Sequence, residues 1–457
     1  MKILILGAGK VGATLASHLS GEAEDITIVD LDEEKLRELR DRFDLQTVAG
    51  HASRPDVLRR AGADSADMLI AVTGSDEVNM VACQVSYSLY RTPTKIARIR
   101  SNAYTSEAQF FSQEHMPIDF RINPEEVVIA EIKQLLQHPG ASRVLDFANG
   151  LVQLVAMRAH ANGPLVGNKL STLKDRIPNT DTRVAAIFRK GAPIDPTGET
   201  VVEVEDEVFF IAKRGDINAV MAELHKIENP FKRIVIAGGG NIGEGLAQSI
   251  EKSLDVKVIE LDEARADEAA ELLNSGVVIL GNATDRDLLI QENIENSDVF
   301  CALTNDDETN IMSSMLAKQL GVRQVMTLIS KPAYIDLVQG GTIDIAISPQ
   351  LATASTILNH IRHADVAKVH SLRRGAAEAM EAVVHGDAKS SKIAGRRIAD
   401  LNLPKGVTIG AIVRAKQVLI AHDNVVVEPE DHVILFLVDA KQVPSVERLF
   451  QVNLNFF

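Results

Sequence analysis

The sequence predicts an α/β protein: two tandem Rossmann-like, doubly wound parallel sheets, each followed by a small α+β lobe. Three observations predict it. A glycine-rich turn follows a short apolar strand and opens a helix twice, as Gly7-Ala8-Gly9-Lys10-Val11-Gly12 and as Gly238-Gly239-Gly240-Asn241-Ile242-Gly243. In each copy the next strand ends in an acid, Asp30 or Glu260, at the spacing expected of a dinucleotide-binding turn. Further landmarks recur at an offset near 231: Gly50-His51-Ala52-Ser53 with Gly281-Asn282-Ala283-Thr284, and Asp76-Glu77-Val78-Asn79 with Asp307-Glu308-Thr309-Asn310. That offset is half the chain, so the repeat reads as a tandem duplication and not as a solenoid.

In the first repeat, strands are expected at 3–6, 26–30, 45–49, 68–72 and 95–99, with helices between them. Leu36, Leu39 and Phe43 follow helical spacing after Asp32, an N-cap residue type. Strands apolar on both faces alternating with helices require a parallel sheet covered on both sides. After this part the pattern changes to short β runs such as Arg183-Val184-Ala185-Ala186-Ile187-Phe188-Arg189 and Thr408-Ile409-Gly410-Ala411-Ile412-Val413-Arg414. The expected boundaries are 1–138 and 229–366 for the Rossmann-like lobes, and 139–228 and 367–457 for the β-rich ones. Pro230 disfavours helix before it, so a helix is expected to end near Ile227.

Composition excludes several function classes. With 457 residues and a net charge of −15, the chain has no basic stripe for nucleic acid, only short clusters such as Arg98-Ile99-Arg100 and Arg373-Arg374. Cys83 and Cys301 lie in apolar or helical settings without a partner at ligand spacing, so buried free thiols are expected, with no metal site. The N-terminus does not read as a signal peptide, and no run approaches the ~20 apolar residues of a membrane span. Any membrane association is therefore expected to pass through a partner protein.

The glycine turns carry the candidate chemistry. Gly7 permits the tight turn, a side chain at Gly9 would block backbone approach to a pyrophosphate, and Gly12 allows close helix packing. The helix start then offers free N–H groups and a positive dipole end to phosphates. Asp30 and Glu260 suit a ribose diol. Asp32 and Asp262, two residues on, disfavour a 2′-phosphate, so NAD(H) is expected over NADP(H). Thr73 and Gly74 end the fourth strand at the crevice, and Arg98 in the fifth suits a phosphate. Each has a blander alternative: turns that only pack helix on strand, a Thr that caps the next helix, a solvated Arg. The second copy has no Arg at the aligned stretch, so the two sites are expected to differ.

A dehydrogenase needs an acid/base beside the nicotinamide ring. No His/Asp, Lys/Tyr or Cys/His constellation accompanies either turn, no phosphate-loop GxxxxGK[ST] occurs, and His360/His363 lack a third ligand in register. Two readings follow: a nucleotide-sensing binding module, or an NAD-dependent oxidoreductase whose catalytic residues are not recognisable.

Several longer stretches are more specific. Met80-Val81-Ala82-Cys83-Gln84-Val85, Asp181-Thr182-Arg183-Val184-Ala185-Ala186-Ile187-Phe188-Arg189, Thr304-Asn305-Asp306-Asp307-Glu308, Asp344-Ile345-Ala346-Ile347-Ser348-Pro349-Gln350 and His370-Ser371-Leu372-Arg373-Arg374-Gly375, with the first glycine turn, resemble the RCK-domain (KTN) regulatory subunits of bacterial Trk potassium-uptake systems over the whole chain. The resemblance implies two RCK N-lobes each followed by an RCK C-lobe, and a non-enzymatic regulator. It implies a homotetrameric ring, peripheral on the cytoplasmic side of the inner membrane, that gates a potassium-translocating Trk membrane subunit. It also implies NAD(H) and the adenine nucleotides ATP and ADP as ligands. By position, the family's nucleotide residues fall on Gly7, Ala8, Gly9, Lys10, Val11, Asp30, Thr73, Gly74 and Arg98, and in the second lobe on Gly238, Gly239, Gly240, Asn241, Ile242 and Glu260.

Overall fold

The computed structural model describes residues 1–20, 25–225, 230–338, 341–361, 366–372 and 376–452. Strands β1 (Lys2–Leu6), β2 (Asp25–Asp30), β3 (Gln46–Ala49), β4 (Met68–Ala71), β5 (Thr94–Arg98) and β6 (Phe120–Ile122) form a parallel sheet ordered β3-β2-β1-β4-β5-β6. All four residues of β4 and the last four of β1 are buried, which explains their unbroken apolar runs. The order reverses between β1 and β4, opening a crevice beyond the strand carboxyl ends. Helices α1 (Lys10–Leu19), α2 (Glu33–Arg42), α3 (Pro55–Arg60), α4 (Asp76–Val85), α5 (Asn102–Thr105) and α6 (Pro124–Gln137) connect and follow these strands. Asp32 caps α2 by accepting from the amides of Glu34 and Lys35, and Leu36 and Leu39 face the core. Phe43 is not a further helical turn, as its spacing suggested, but the extended residue that ends α2.

The first β-rich lobe is an antiparallel sheet of β7 (Ala141–Phe147), β8 (Val152–Arg158), β9 (Thr182–Arg189), β10 (Ala192–Ile194) and β11 (Glu207–Lys213), ordered β10-β9-β11-β8-β7, with α7 (Leu173–Arg176) and α8 (Ile217–Met221). The helix expected to run to Ile227 ends at Met221. The junction itself, at 228/229, lies outside the described residues, as do His363 and Arg373-Arg374-Gly375.

The second parallel sheet repeats the first: β12 (Arg233–Ala237), β13 (Asp255–Glu260), β14 (Val277–Leu280), β15 (Val299–Ala302), β16 (Gln324–Leu328) and β17 (Ile345–Ile347), ordered β14-β13-β12-β15-β16-β17. Its helices are α9 (Asn241–Ile250), α10 (Glu263–Leu272), α11 (Arg286–Gln291), α12 (Asp307–Gln319), α13 (Pro332–Val338) and α14 (Pro349–Ile361). The last sheet contains β18 (Val366–Leu372), β19 (Ala377–Val383), β20 (Val407–Arg414), β21 (Gln417–Ile420) and β22 (His432–Leu437), ordered β18-β19-β22-β20-β21, and α15 (Val443–Phe450) follows it.

The chain divides into two compact units, Met1–Val128 with Ser348–Ile361, and Ile129–Ile347 with Arg362–Phe457. In the first unit, Ala354, Ile357, Leu358 and Ile361 of α14 share a core with Leu15, Leu19 and Ile122, and the His360 ring stacks on Phe120 at 3.5 Å. Thus α14 follows the second sheet in sequence but packs on the first. In the second unit the exchange is reciprocal: a Cβ at Gly245 of α9 would lie 2.7 Å from Cδ1 of Ile129 of α6.

The two β-rich lobes share one apolar core, in which Phe147, Phe188 and Phe209 pack with Leu372, Ala411, Ile434 and Phe436. At Gly410 the strands approach so closely that a Cβ would lie 2.8 Å from Ile211. His370 is half-buried beside this core, edge-on to Phe147, with its Nε2 enclosed. Burial, reinforced by the Lys368 charge, pushes its pKa down from 6.5 to about 3. The unfolded chain therefore binds a proton that the folded chain refuses. That contribution to stability is whole above pH 6.5 and is lost as the pH falls from there through about 3. Urea midpoints should fall over that window, and His370→Asn should flatten the fall. An unchanged pH profile in the variant would show that His370 does not set it.

Candidate functional site

The first glycine turn is shaped by three local constraints. Gly7 has φ +109°, and a Cβ there would lie 3.0 Å from the Val72 carbonyl oxygen. At Gly12 a Cβ would fall 1.9 Å from the Gly7 carbonyl oxygen. The closest approach that Gly12 permits is thus to the turn itself, more than to the sheet, where Ile5 lies 3.6 Å away. Gly9 is different: it starts α1 in extended geometry, and beyond its chain neighbours no atom of the described residues lies within 4 Å of where its Cβ would be. The first-turn amides of α1 have no acceptor inside the helix.

These features border a cavity of about 640 Å³, within the range of small-molecule sites. Of the residues singled out in the sequence, Gly7, Gly9, Lys10, Val11, Asp30, Thr73, Gly74 and Arg98 line it. Ala8 does not, but its amide donates to Asp30 Oδ2 at 2.6 Å, while Oδ1 accepts from the Asp32 amide at 2.9 Å. The Asp30 carboxylate is thereby fixed at the mouth of the crevice, with lone pairs left for a diol. Asp32 is occupied in capping α2 and pairs with Lys35 at 3.0 Å, and Lys35 also lines the cavity. Asp32 therefore repels a 2′-phosphate less than its sequence position suggested.

Thr73 lines the crevice, yet its hydroxyl is taken: Oγ1 donates to Asn79 Oδ1 at 2.7 Å. It does not cap α4, since Ser75 does that by accepting from the Val78 amide. Asn79 is the residue that sequence reasoning missed. Fully buried, it accepts from the Thr73 amide at 3.0 Å and donates to the Arg98 carbonyl at 2.9 Å, clipping the end of β4 to the end of β5. Asp76 does the same one turn earlier, accepting from the amides of Arg100 and Ser101 at 2.8 Å. Both residues sat in the repeated Asp-Glu-x-Asn landmark, which was the available signal.

Arg98 is not a solvated edge residue, because β5 lies between β4 and β6. Its guanidinium is half-buried, and burial, then Arg100, lowers its pKa from the ordinary value, against the pull of Glu125 and Asp76. Its Nε is buried without a hydrogen-bond partner among the described residues. A buried cationic donor left unmatched suits an anionic group supplied from outside the chain.

The second crevice has the same backbone and different chemistry. Gly238 has φ +103°, and a Cβ at Gly243 would lie 1.9 Å from the Gly238 carbonyl oxygen. Glu260 is more buried than Asp30 and accepts three amides: Gly239 at 2.6 Å, Leu261 at 2.8 Å and Asp262 at 2.9 Å. Asn310 repeats the Asn79 clip, bonding Thr304 and the Leu328 carbonyl, so Leu328 stands where the first copy has Arg98. Asn241 and Ile242 open α9, and Arg265 Nη1 lies 3.5 Å from a Cβ built on Gly240. Cys83 and Cys301 are buried free thiols, each pushed up to about 12 by desolvation. Among the described residues no helix is long and apolar enough to cross a membrane.

Comparison with known proteins agrees with this architecture. The TrkA-N domain family matches residues 3–124 and 234–349, and the TrkA-C domain family matches 154–225 and 387–451. The chain is 60% identical over 457 residues to the Trk system potassium uptake protein TrkA of Halomonas elongata, covering 100% of both chains. It is 56% identical over 452 residues to the protein of that name from Vibrio alginolyticus, covering 99% of each. Among solved structures, the GsuK RCK domain superposes with a TM-score of 0.61 at 20% identity, covering 98% of this chain and 94% of the other. The GsuK channel bound to NAD gives 0.60 at 19% identity, covering 98% and 78%.

Proposed function

Because the chain belongs to the family of Trk system potassium uptake proteins TrkA, we propose that it is the nucleotide-sensing regulatory subunit of a potassium-uptake system. In this reading it works without catalysis, as a homotetrameric ring on the cytoplasmic face of a potassium-translocating membrane subunit. NAD(H), ATP and ADP are its ligands, and the residues around the first crevice are Gly7, Ala8, Gly9, Lys10, Val11, Asp30, Thr73, Gly74 and Arg98. Gly238, Gly239, Gly240, Asn241, Ile242 and Glu260 form the second site. The single observation that carries the proposal is the first cavity, where the open space at Gly9, the α1 amides, the fixed Asp30 carboxylate and the unmatched Arg98 Nε converge.

Each group has a distinct task. The α1 start and Arg98 hold the phosphates, Asp30 orients a ribose, and the buried Asn79 keeps the β4 and β5 ends at fixed separation. A ligand shifts a gate only by its difference in affinity between two ring conformations, and a tenfold difference is about 1.4 kcal/mol per site. The test is potassium flux into vesicles bearing the membrane subunit and this protein, with and without NADH or ATP. Flux should change with nucleotide, and Arg98→Ala should move the response to about tenfold higher concentration. Identical flux with and without nucleotide would reject the proposal.

A further inference from the structure

The far wall of the first cavity is supplied by the second half of the chain. α14 packs on α1 and β6, and Pro349, Gln350 and Thr353 of its first turn line the cavity together with Arg98 and Pro124. Three helix starts therefore border one space: α1 after Gly9, α6 at Pro124 and α14 at Pro349. Each brings a positive dipole end to the same volume.

The side chains at the start of α14 divide into support and reader. Thr353 is fully buried and donates from Oγ1 to the Pro349 carbonyl at 2.6 Å, so it holds the turn. Ser348 Oγ accepts from the Leu351 amide at 3.4 Å and donates to Gln350 Oε1 at 3.0 Å. In that bond Gln350 Oε1 faces Ser348. Its Nε2, with two donor hydrogens, has no acceptor among the described residues.

Position along the sheet decides what Gln350 can meet. Asp30 ends β2, Arg98 ends β5, and α14 lies against β6. From β2 to β6 is four strand spacings, roughly 19 Å. A nucleoside monophosphate anchored at Asp30 does not cover that span, whereas the nicotinamide riboside of NADH or the terminal phosphate of ATP extends toward α14.

We infer that Gln350 is a specificity-determining residue of the first site, donating from Nε2 to whatever the ligand carries beyond its second phosphate. The inference rests on the first crevice taking nucleotide. It makes the second repeat a direct reader of the ligand in the first, because the helix that ends the second parallel sheet is part of the wall.

The experiment uses the full chain and three probes. NADH binding is followed by the ligand's own fluorescence, and ATP and AMP by displacement of NADH, with binding that persists in Gly9→Val subtracted as second-site signal. Gln350→Ala should weaken NADH and ATP five- to tenfold, leaving AMP and the melting temperature unchanged. Gln350→Glu should weaken ATP further than NADH, because its carboxylate faces the terminal phosphate. Unchanged affinity for NADH and ATP, or an equal loss for all three probes, would overturn the inference. Absence of saturable NADH binding by the unmodified chain would overturn the nucleotide reading as well. Binding that ignores Gln350 would overturn this inference alone.

Discussion

Replacing Gly9 by Val should abolish nucleotide binding at the first crevice without unfolding the protein. The residue has φ −72° and ψ −173°, ordinary extended backbone that a β-branched residue adopts readily. Beyond its chain neighbours, no atom of the described residues lies within 4 Å of the added Cβ, so the native packing tolerates it. What the side chain does fill is the approach to the α1 amides, where a pyrophosphate must come into contact with backbone. A loss of more than about 100-fold in NADH affinity is expected, on the order of 2.7 kcal/mol. Gly12→Ala is the contrasting variant. Its Cβ would sit 1.9 Å from the Gly7 carbonyl oxygen, so it should fail as a fold before it fails as a binder. Fluorescence titration and thermal melting separate the two. A Gly9→Val protein that bound NADH normally would show that the ligand does not lie over the α1 start.

The largest effect on stability is expected from Asp206→Ala in the first β-rich lobe. Asp206 is fully buried and receives Arg189 Nε and Nη2, each at 2.9 Å, along with the Glu203 amide at 2.8 Å. The Asp206 carboxylate, and Glu203 beside it, raise the Arg189 pKa from its ordinary value. Removing the acid leaves Arg189 Nε and the Glu203 amide without their acceptor, while Arg189 keeps the Glu203 carboxylate and the Val201 carbonyl. Breaking a buried pair in this way costs about 3–5 kcal/mol, and the partial exposure of Arg189 favours the lower end. Asp431, which binds Arg414 and the Glu428 amide in the same pattern, should give a matching loss in the other lobe. Urea unfolding of the two single variants checks this. A change below about 1 kcal/mol would mean that the pair contributes little beyond its own desolvation.

Much of this was legible in the sequence for local reasons. The glycine turns could be read because their demands are set within a few residues: a positive φ at Gly7, and a carbonyl packed against Gly12. Asp32 as a cap and the buried β1 and β4 were legible for the same reason. Strands β6 and β17 were not, since three residues are too few for any periodicity to show. The strands that open each β-rich lobe, β7 and β18, were not legible either, since each carries a register shift near its start and charges within it, Arg143 and Asp146 or Lys368, that break the alternation. The exchange of α14 could not be read at all. Amphipathic spacing shows that a helix has an apolar face and not which sheet that face meets. Asn79 and Asn310 were seen only as repeat landmarks, because their role depends on a neighbouring strand end that local pattern does not supply.

The two crevices also record the order in which substitutions can be accepted. Asp30 is paired with Ala8, and Glu260 with Gly239. A Cβ at Gly239 would lie 3.3–3.4 Å from Oε2, Cβ and Cγ of Glu260, tighter than most side-chain contacts. The longer acid and the missing methyl are therefore one compensated change. Between an Ala–Asp crevice and a Gly–Glu one, the path through Gly–Asp is open and the path through Ala–Glu is crowded. From Ala–Asp to Gly–Glu the less crowded route changes the alanine first, and in the opposite direction it changes the glutamate first, so a protein engineer converting either crevice passes through Gly–Asp.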